Sequence, residues 1–341
     1  MTKLVQIMAG ARHGGAEVFF TRLAIGLQNA GEDQHLLIRR DPARAARLRD
    51  AGVRLREFRF GGPLDIMTRI GIRRELGRLD PRIVLTWMNR ATSLTPKGNY
   101  TLAARLGGYY DLKYYRHCDH LIGNTRDIVA YLRKNGWPDD RSHYLPNFVD
   151  ATRVAAASRA ELATPDDAPL LLALGRLHPV KGFDVLLAAL ESVPGAYLWL
   201  AGAGPERPRL DHQARALGIS ERVRFLGWRE DTAALLAAAD LLVCPSRHEP
   251  LGNVVIEAWA HGVAVIATDA EGPRELIRPG IDGLLVPRDN ADALAQMIHL
   301  LLADPVARDA LAQAGYESYS RQFSERTVIA AYQGFFDRLA R

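Results

Sequence analysis

Two glutamates in the second half of the chain stand where a helix begins and could bind a polar or anionic ligand. Glu249 follows the apolar run 241–244, and Glu257 lies about one turn inside a helical pattern that ends at Gly262. A helix N-terminus presents free N–H groups and a partial positive charge, and a carboxylate beside it accepts from ligand hydroxyls. Taken singly, a solvated loop residue and a first-turn charge explain both glutamates better, so a binding role depends on the rest of the chain.

Two cations follow another apolar run. Arg176 comes directly after residues 170–174, and Lys181 stands just before the next helical pattern. A planar guanidinium and a compact ammonium together suit a diphosphate. Lys181 is the only lysine after residue 134, in a chain that otherwise places arginine on its surface. This favours a required ammonium, with a stray exposed lysine as the alternative.

The elements that must position these residues alternate between apolar runs and helical patterns. The second half contains five predicted strands, each followed by a small or polar turn: 170–174, 197–201, 223–226, 241–244 and 263–267. The first half opens with a strand at 4–8, a glycine-rich loop at 10–17 and a helix at 18–30, and continues with strands at 34–38, 53–58, 83–87 and 120–124. The pattern predicts doubly wound parallel sheets, whose strands carry ligands at their carboxyl ends.

The length of 341 residues predicts two domains. We expect a first domain over 1–150, a connection over 151–168, a second domain over 169–315 and a C-terminal helix over 316–341 that packs on the body. Cys118 and Cys244 form no ligand cluster and fit a reducing cytoplasm. The sequence shows no signal peptide, no apolar run of membrane-spanning length, no Asp-x-Asp and no zinc-ligand spacing. We therefore expect a cytoplasmic protein without a bound metal or cofactor.

The net charge of +5 is unevenly distributed. Residues 1–150 contain 25 basic and 15 acidic side chains, whereas the remainder contains 19 and 24. The basic first half would attract an anionic membrane surface, an anionic acceptor or nucleic acid, with a solvated basic surface as the competing interpretation. Aromatic residues are sparse among these arginines, which disfavours a nucleic-acid partner. The turn Gly202-Ala203-Gly204-Pro205 lacks the third glycine of a dinucleotide fingerprint, which disfavours a dehydrogenase.

The ordered set of motifs resembles the retaining glycosyltransferases of family 4. The set comprises Gly14-Gly15-Ala16-Glu17, Gly175-Arg176 with Lys181-Gly182, the turn 202–205, Phe225-Leu226-Gly227, Glu249 with Glu257, and the stretch 262–268. The resemblance spans nearly the whole chain. It implies the GT-B fold, an α/β architecture of two facing Rossmann-like domains with a cleft between them.

The resemblance also implies roles for individual positions. Arg176 and Lys181 would hold the donor diphosphate, Glu249 the transferred sugar and Glu257 the nucleotide ribose. Glu249, Arg176 and Lys181 form the implied catalytic set, and no metal is needed. The implied donor-binding set adds Gly14, Gly15, Gly204, Gly227, Leu251, Gly252, Asn253, Val254 and Glu257.

The acceptor side departs from the family pattern. Many relatives place a histidine near the sugar, whereas the corresponding stretch here is Arg105-Leu106-Gly107-Gly108-Tyr109, and His117 is interpreted as structural. The candidate acceptor residues are Asn89, Arg90, Arg105, Tyr109 and Lys113. The variation resembles the branch that modifies lipopolysaccharide core or surface polysaccharide.

The resulting hypothesis is a hexosyltransferase that moves a sugar from a nucleoside-diphosphate sugar, with UDP favoured, to a hydroxyl of a glycan or glycolipid. It would work in the cytoplasm, at the inner face of the cytoplasmic membrane if its basic first domain binds anionic lipid. The alternatives are a sugar-nucleotide epimerase or a glycan phosphorylase on the same fold.

Overall fold

A computed structural model describes residues 4–11, 14–62 and 65–340 of the chain. It divides into two compact units, here called unit 1 (Met1–Phe148 with Glu325–Arg341) and unit 2 (Val149–Ser324). Each contains one sheet in which every described strand pair is parallel. The predicted class of two doubly wound α/β domains is therefore confirmed.

Unit 1 contains a seven-stranded sheet in the order β3-β2-β1-β4-β5-β6-β7. The strands are β1 (Leu4–Met8), β2 (Gln34–Arg39), β3 (Arg54–Phe58), β4 (Ile83–Trp87), β5 (Thr101–Leu106), β6 (His120–Gly123) and β7 (Ser142–Tyr144). Its helices are α1 (Gly15–Asn29), α2 (Pro42–Asp50), α3 (Ile66–Leu79), α4 (Met88–Leu94), α5 (Arg126–Lys134) and the C-terminal α13 (Glu325–Leu339). The central strands β1 and β4 are buried along their whole length, as expected where helices cover both faces of a parallel sheet.

Unit 2 contains a six-stranded sheet in the order β10-β9-β8-β11-β12-β13. The strands are β8 (Leu170–Leu174), β9 (Tyr197–Ala201), β10 (Val223–Gly227), β11 (Leu241–Cys244), β12 (Ala264–Thr268) and β13 (Leu284–Val286). The helices are α6 (Phe183–Glu191), α7 (Arg207–Ala216), α8 (Thr232–Ala238), α9 (Asn253–His261), α10 (Glu271–Leu276), α11 (Ala291–Ala303) and α12 (Pro305–Gln322). Both sheets reverse their strand order once, at β1/β4 and at β8/β11, and such a reversal opens a ligand-binding crevice at the carboxyl ends.

Several local predictions were wrong. The sequence pattern missed β5, β7 and β13. It also predicted one helix over 316–341, whereas α12 ends at Gln322 and α13 begins at Glu325. The buried Phe323 lies at this break, where the chain passes from unit 2 to unit 1. Strand edges and helix breaks of this kind depend on which neighbours the segment meets, and a hydrophobic pattern alone does not contain that information.

Residues 151–168, predicted as a connection, belong to unit 2 and contain no helix or strand. The Arg159 guanidinium donates to the carbonyl oxygens of Ala238, at 2.7 Å, and Ala168, at 2.9 Å. Trp199 donates from its indole N–H to the Thr164 hydroxyl at 2.9 Å. The segment is therefore part of the compact body of unit 2.

Candidate active site

The predicted donor motifs share the carboxyl edge of the unit 2 sheet. Arg176 follows β8, and the loop with Glu249 follows β11, so the two flank the point at which the strand order reverses. The turns after β9, β10 and β12 lie at the same edge because all these strands are parallel. The sheet therefore brings the sequence motifs to one side of unit 2.

The loops after β8 and β11 are joined backbone to backbone. The carbonyl oxygen of Val180 accepts from the N–H groups of Arg247, at 2.8 Å, and His248, at 3.2 Å. Gly182 has a φ of 64°, and a Cβ there would lie 2.0 Å from the carbonyl oxygen of Pro245. Only glycine fits both the left-handed conformation and this approach. The joined loops place Lys181 beside Glu249.

Lys181 and Glu249 form an ion pair through Nζ and Oε2. Their side chains are only 22% and 12% exposed. The Glu249 carboxylate also accepts from the Ser246 hydroxyl and from the Gly252 N–H, both at 3.4 Å. A carboxylate has about four acceptor positions and an ammonium three donors, so both groups retain capacity for a ligand. Partial exclusion of water strengthens their interaction with any charge placed there.

A second carboxylate fixes the backbone on which Glu249 stands. Glu271 accepts from the Glu249 N–H at 3.3 Å, from Arg288 Nη1 at 3.1 Å and pairs with His248 Nδ1 at 3.1 Å. Burial alone would raise the pKa of Glu271, but the backbone N–H donors, Arg288 and His248 lower it overall. The Gly272 N–H donates to the Glu249 carbonyl oxygen at 2.7 Å. Helix α10 thus binds both the backbone N–H and the backbone carbonyl oxygen of Glu249.

The arginines of this edge differ in their availability. Arg247 makes two 2.8 Å hydrogen bonds to the Asp184 carboxylate and one of 2.5 Å to Asp289, which raise the Arg247 pKa. Burial opposes ionisation of Asp184, yet Arg247 lowers its pKa overall. Arg176, in contrast, is exposed and makes no ion pair with any residue in the described ranges. Arg176 therefore remains available to an incoming anion, as does Lys181 through the donors that Glu249 does not use.

Helix α9 begins at this edge, and the residue before its first turn is Gly252. Gly252 adopts a φ of 79° and makes no side-chain cap, and Asn253 and Val254 form the first turn. Leu251 is buried at 9% exposure, and Glu257 is half-buried one turn into the helix. Backbone N–H groups of the first turn and the Glu257 carboxylate therefore lie along the start of one helix, as the sequence predicted.

The other donor glycines shape the backbone of this edge. A Cβ on Gly204 would lie 2.2 Å from the Leu177 carbonyl oxygen, and one on Gly202 would lie 1.8 Å from that of Gly175. Gly227 has a φ of 69° and has space around it, and its carbonyl oxygen accepts from the Gly202 N–H at 2.7 Å. Gly204 thus allows loop packing, while a donor contact for Gly204 or Gly227 stays a prediction.

Comparison with known proteins identifies the family. Residues 154–318 match the family described as Glycosyl transferases group 1, and residues 13–153 match the Glycosyltransferase Family 4 domain. The lipopolysaccharide core biosynthesis glycosyltransferase LpsE of Rhizobium meliloti (strain 1021) is 39% identical over 94% of this chain and 95% of LpsE. LpsD of the same organism is 36% identical over 98% of both chains. The protein is a group 1 glycosyltransferase.

A solved structure supports the fold of this glycosyltransferase. The crystal structure of Anabaena HepE in complex with UDP superimposes with a TM-score of 0.85 and covers 99% of this chain and 100% of HepE, at 21% sequence identity. At that identity the similarity establishes the GT-B fold and leaves ligands to be argued from the residues. The predicted family and fold are both confirmed.

In unit 1 of the glycosyltransferase, the glycine-rich loop after β1 is organised by Glu17. This glutamate is 8% exposed, and its Oε1 accepts from the Ala11 N–H at 2.7 Å. A Cβ on Gly14 would lie 2.2 Å from Glu17 Oε2. Gly14 therefore leaves room for the glutamate, and Gly15 begins α1, whose start has no side-chain cap. Arg12 and His13 of this loop lie outside the described residues.

Arg105 was predicted as an acceptor residue, and the structure instead buries it at 2% exposure. Its Nε donates to the Tyr332 hydroxyl of α13 at 2.9 Å, and Nη2 donates to Asn147 Oδ1. The guanidinium also stacks on Phe19 and Trp87, 4.7 and 4.8 Å from the ring centroids. Arg105 therefore ties the C-terminal helix to β5 and is not placed to meet an acceptor.

The other four acceptor candidates are spread over two loops. Asn89 and Arg90 begin α4 at the carboxyl end of β4, beside the strand-order reversal of the first sheet. Met88, directly before them, has a φ of 60°, a strained conformation that is concentrated at functional sites. Tyr109 and Lys113 follow β5 and contact Asp127 and Asp111.

Asn89 accepts a hydrogen bond from the buried Tyr115 hydroxyl. Asn89 and Arg90 thus flank the strand-order reversal, whereas Tyr109 and Lys113 follow the next strand, β5, at the same edge of the sheet. His117 contacts the Thr92 carbonyl oxygen at 3.2 Å, which agrees with its structural interpretation.

Three residues of the site were missed in the sequence. Ser246 contacts Glu249, Glu271 anchors its backbone, and Arg288 also donates to the Arg247 carbonyl oxygen at 3.0 Å. Glu271 and Gly272 carried a signal, since they follow β12 at the same sheet edge as the other motifs. Ser246 also carried a signal, since it stands three residues before Glu249 in the loop after β11, whereas Arg288 carried none, because its partner Arg247 is 41 residues away along the chain.

The described residues contain neither a metal-binding cluster nor a membrane-spanning helix. No group of three or more His, Cys, Asp or Glu side chains in residues 4–11, 14–62 and 65–340 has the proximity needed to hold a metal ion. Within the same ranges, no helix combines the length and apolar character that crossing a bilayer requires.

Proposed function

We propose that this glycosyltransferase moves a sugar from a nucleoside-diphosphate sugar, UDP-linked, to a hydroxyl of a lipopolysaccharide core glycan. The observation that carries the donor half of the proposal is the Lys181–Glu249 pair, placed with the unpaired Arg176 where the second sheet reverses its strand order. The acceptor class is supported by LpsE and LpsD, which are both named lipopolysaccharide core biosynthesis glycosyltransferases and align over nearly the whole chain.

Each donor group is assigned to a side chain of matching chemistry. Arg176 supplies a planar fork and Lys181 a point charge to the diphosphate, and the N–H groups at the start of α9 add a partial positive charge. Glu249 accepts from hydroxyls of the transferred sugar, and Glu257 from those of the ribose. The uracil base is supported by the HepE structure, which contains UDP.

The same cations assist the chemical step. Negative charge grows on the nucleoside diphosphate as the bond to the sugar breaks, and fixed cations that are partly shielded from water stabilise it. Lys181 is held toward this charge by Glu249, which is itself fixed by Gly252 and Ser246. We propose that this electrostatic contribution needs no metal and that the anomeric configuration is retained.

The test begins with a thermal-shift screen against UDP-, GDP-, ADP- and TDP-sugars, followed by transfer to a lipopolysaccharide core acceptor with product analysis. We expect stabilisation by UDP-sugars and a product with retained configuration, in the presence of EDTA. Lys181→Ala should lower kcat/KM for the donor by about 10- to 100-fold, since a charge-assisted bond contributes about 1.5–3 kcal/mol. Lys134→Ala, at an exposed position of α5, is the matched control and should have no effect.

Other products would overturn the proposal. Conversion of the sugar nucleotide without acceptor would indicate an epimerase, and dependence on free phosphate would indicate a phosphorylase. Loss of activity in EDTA that Mg²⁺ restores would contradict the metal-free mechanism.

We also propose that unit 1 binds the anionic surface of the membrane on which such an acceptor is built. Helix α3 exposes Ile66 at 65% and Met67 at 75%, and the exposed Arg69, Arg73 and Arg74 lie on the same helix. Apolar side chains beside cations suit the interface of an anionic bilayer. Vesicles of phosphatidylglycerol should bind the protein at low salt and release it at high salt.

Met67→Glu should weaken this vesicle binding several-fold. Val306→Glu, at a 79% exposed position of α12 in unit 2, is the control. Equal binding to neutral phosphatidylcholine vesicles, or binding that ignores salt, would contradict this part of the proposal.

A further inference from the structure

A basic cavity of about 570 Å³ lies in unit 1, at the carboxyl ends of β1 and β2. One wall is the backbone of residues 10–11, which follow β1, and the other is the segment 39–44, which includes the end of β2 and the start of α2. The volume is within the range of about 300–1,000 Å³ typical of small-ligand pockets. None of its lining residues belongs to the donor site of unit 2.

The charge of this cavity is positive because its acidic groups are already engaged. Three arginines and one aspartate line it. Asp41 caps α2 by accepting from the Arg44 N–H at 3.1 Å, and it pairs with the Arg44 guanidinium at 3.4 Å. The nearby Glu57 pairs with Arg49 at 2.9 Å. The start of α2 is thus capped, and the net charge comes from the arginine side chains.

Arg39 and Arg40 supply the charge that remains. Arg40 is exposed and Arg39 half-buried, and neither side chain makes an ion pair or hydrogen bond with a residue of the described ranges. Most other arginines of the segment 44–56 contact a carboxylate, as Arg44, Arg49, Arg54 and Arg56 do. Two adjacent guanidinium groups without an acidic partner, on the wall of a cavity, are suited to an anion.

The walls of the cavity are fixed before any ligand arrives. Arg44, at 8% exposure, donates from Nη2 to the Ala11 carbonyl oxygen at 2.8 Å and so joins α2 to the loop after β1. Glu17 holds the N–H of the same residue at 2.7 Å. Ala11 is therefore held on both sides. A preformed pocket of this kind loses little conformational entropy on binding.

We propose that this cavity binds a phosphate monoester carried by a sugar of the acceptor. A phosphate presents up to two charges and three equivalent oxygens, which two guanidinium forks can bind in pairs. The cavity is larger than a bare phosphate needs, so it has space for the sugar that carries it. That the phosphorylated sugar belongs to the acceptor rests on the proposed function, which assigns the diphosphate of the donor to unit 2.

The test measures binding of glucose 6-phosphate, glucose and inorganic phosphate by titration calorimetry at constant ionic strength, with the full chain. We expect glucose 6-phosphate to bind and glucose not to bind. Arg39→Ala combined with Arg40→Ala should weaken glucose 6-phosphate binding at least about tenfold. The control combines Arg47→Ala with Arg82→Ala, which removes the same charge from two exposed positions of unit 1 outside the cavity.

Titration with UDP separates this inference from the proposed function. UDP affinity should be the same in all three proteins, because Arg176, Lys181 and Glu257, the side chains assigned to UDP, lie in unit 2. A protein that does not bind UDP but binds glucose 6-phosphate through Arg39 and Arg40 would refute the donor assignment alone. Equal glucose 6-phosphate affinity in the double variant and the control would overturn the cavity as a phosphate site. Inorganic phosphate that binds as tightly as glucose 6-phosphate would overturn recognition of a phosphorylated sugar in favour of a free anion.

Discussion

The two units have the same strand order around their first strand, but the loops at the carboxyl edge of each sheet pack through different contacts. In unit 2 the loops pack backbone on backbone, so that a Cβ on Gly182, Gly202 or Gly272 would lie 1.8–2.4 Å from backbone atoms of another loop. In unit 1 the loop after β1 packs on a side chain, that of Glu17. A backbone contact tolerates one residue type, whereas a side-chain contact can be replaced by other pairs.

The units differ in the same way in their charges. Around the proposed donor site of unit 2, Arg247, Arg288 and Lys181 are paired with acids, whereas Arg176 makes no ion pair with a described residue. Unit 1 carries the basic excess of the chain, with exposed arginines on α3 and in the cavity beside β2. Unit 2 thus combines a rigid scaffold with few available charges, which suits its proposed recognition of one donor class. Unit 1 has more exposed arginines, which suits its proposed binding of an anionic acceptor.

The largest expected effect on stability tests the backbone packing of unit 2. Gly182→Ala should lower the free energy of unfolding by about 2–5 kcal/mol, since it combines a left-handed residue with a clash against Pro245. Urea unfolding followed by circular dichroism measures it. Gly77→Ala is the control in unit 1: it lies within α3 with no atom within 4 Å of the added Cβ, and should be neutral or stabilise by up to about 1 kcal/mol. Equal effects of the two substitutions would remove the contrast between the units.

The next effect concerns the chemistry of unit 2. Glu249→Gln keeps the shape of the side chain but removes the negative charge that holds Lys181, and kcat should fall about 100-fold with the melting temperature preserved. Steady-state transfer kinetics with saturating donor measure it. Wild-type kcat in this variant would show that the charge of Glu249 is not used.

The third prediction makes unit 1 the acid-sensitive half. Burial, with the charges of His120 and Arg338, lowers the pKa of His143 from the usual 6.5 to about 4. The unfolded state therefore binds more protons between these values, so stability is complete above pH 6.5 and falls by about 1–2 kcal/mol, after solvent screening, as the pH drops toward 4. Hydrogen exchange of unit 1 amides against pH measures the loss. His143→Phe should flatten the profile, and the exposed His212→Phe should not.

Unit 2 should respond to acid at lower pH. The pKa values of Asp184 and Glu271 are lowered overall by their hydrogen-bonded partners. The stability they contribute is present above their unfolded pKa and is lost as the pH falls below it, near 4. Amides of unit 2 that lose protection at the same pH as those of unit 1 would contradict this difference.

The smallest effect separates a structural arginine from a functional one. Arg105→Met leaves Tyr332 and Asn147 without their donor and should cost about 1–3 kcal/mol, with the acceptor KM unchanged. Arg176→Met, on the exposed turn after β8, should change stability by less than about 0.5 kcal/mol while kcat/KM for the donor falls. A raised acceptor KM in a fully folded Arg105→Met protein would restore Arg105 to the acceptor site.

Much of unit 2 could be predicted because its strands are short apolar runs in the sequence and are followed by turns that contain glycine. The five strands and the turns that follow them were located, and Gly175, Gly182 and Gly204 stand where the backbone demands them. The strand β5 could not be recognised, because Arg105 interrupts its apolar pattern. The charge of that residue is accepted inside unit 1 only because α13, more than two hundred residues later, supplies Tyr332.

The sequence by itself determined the family, the two parallel sheets and the charged residues that are candidates for the donor site, since these follow from hydrophobic periodicity and from motifs short enough to read along the chain. The tertiary structure decided which of those charges are available. It paired Arg247 with Asp184 and left Arg176 exposed, and it buried Arg105 while leaving Arg39 and Arg40 at a cavity. An arginine has the same side chain in all five places, and its role depends on partners that folding brings from distant parts of the chain.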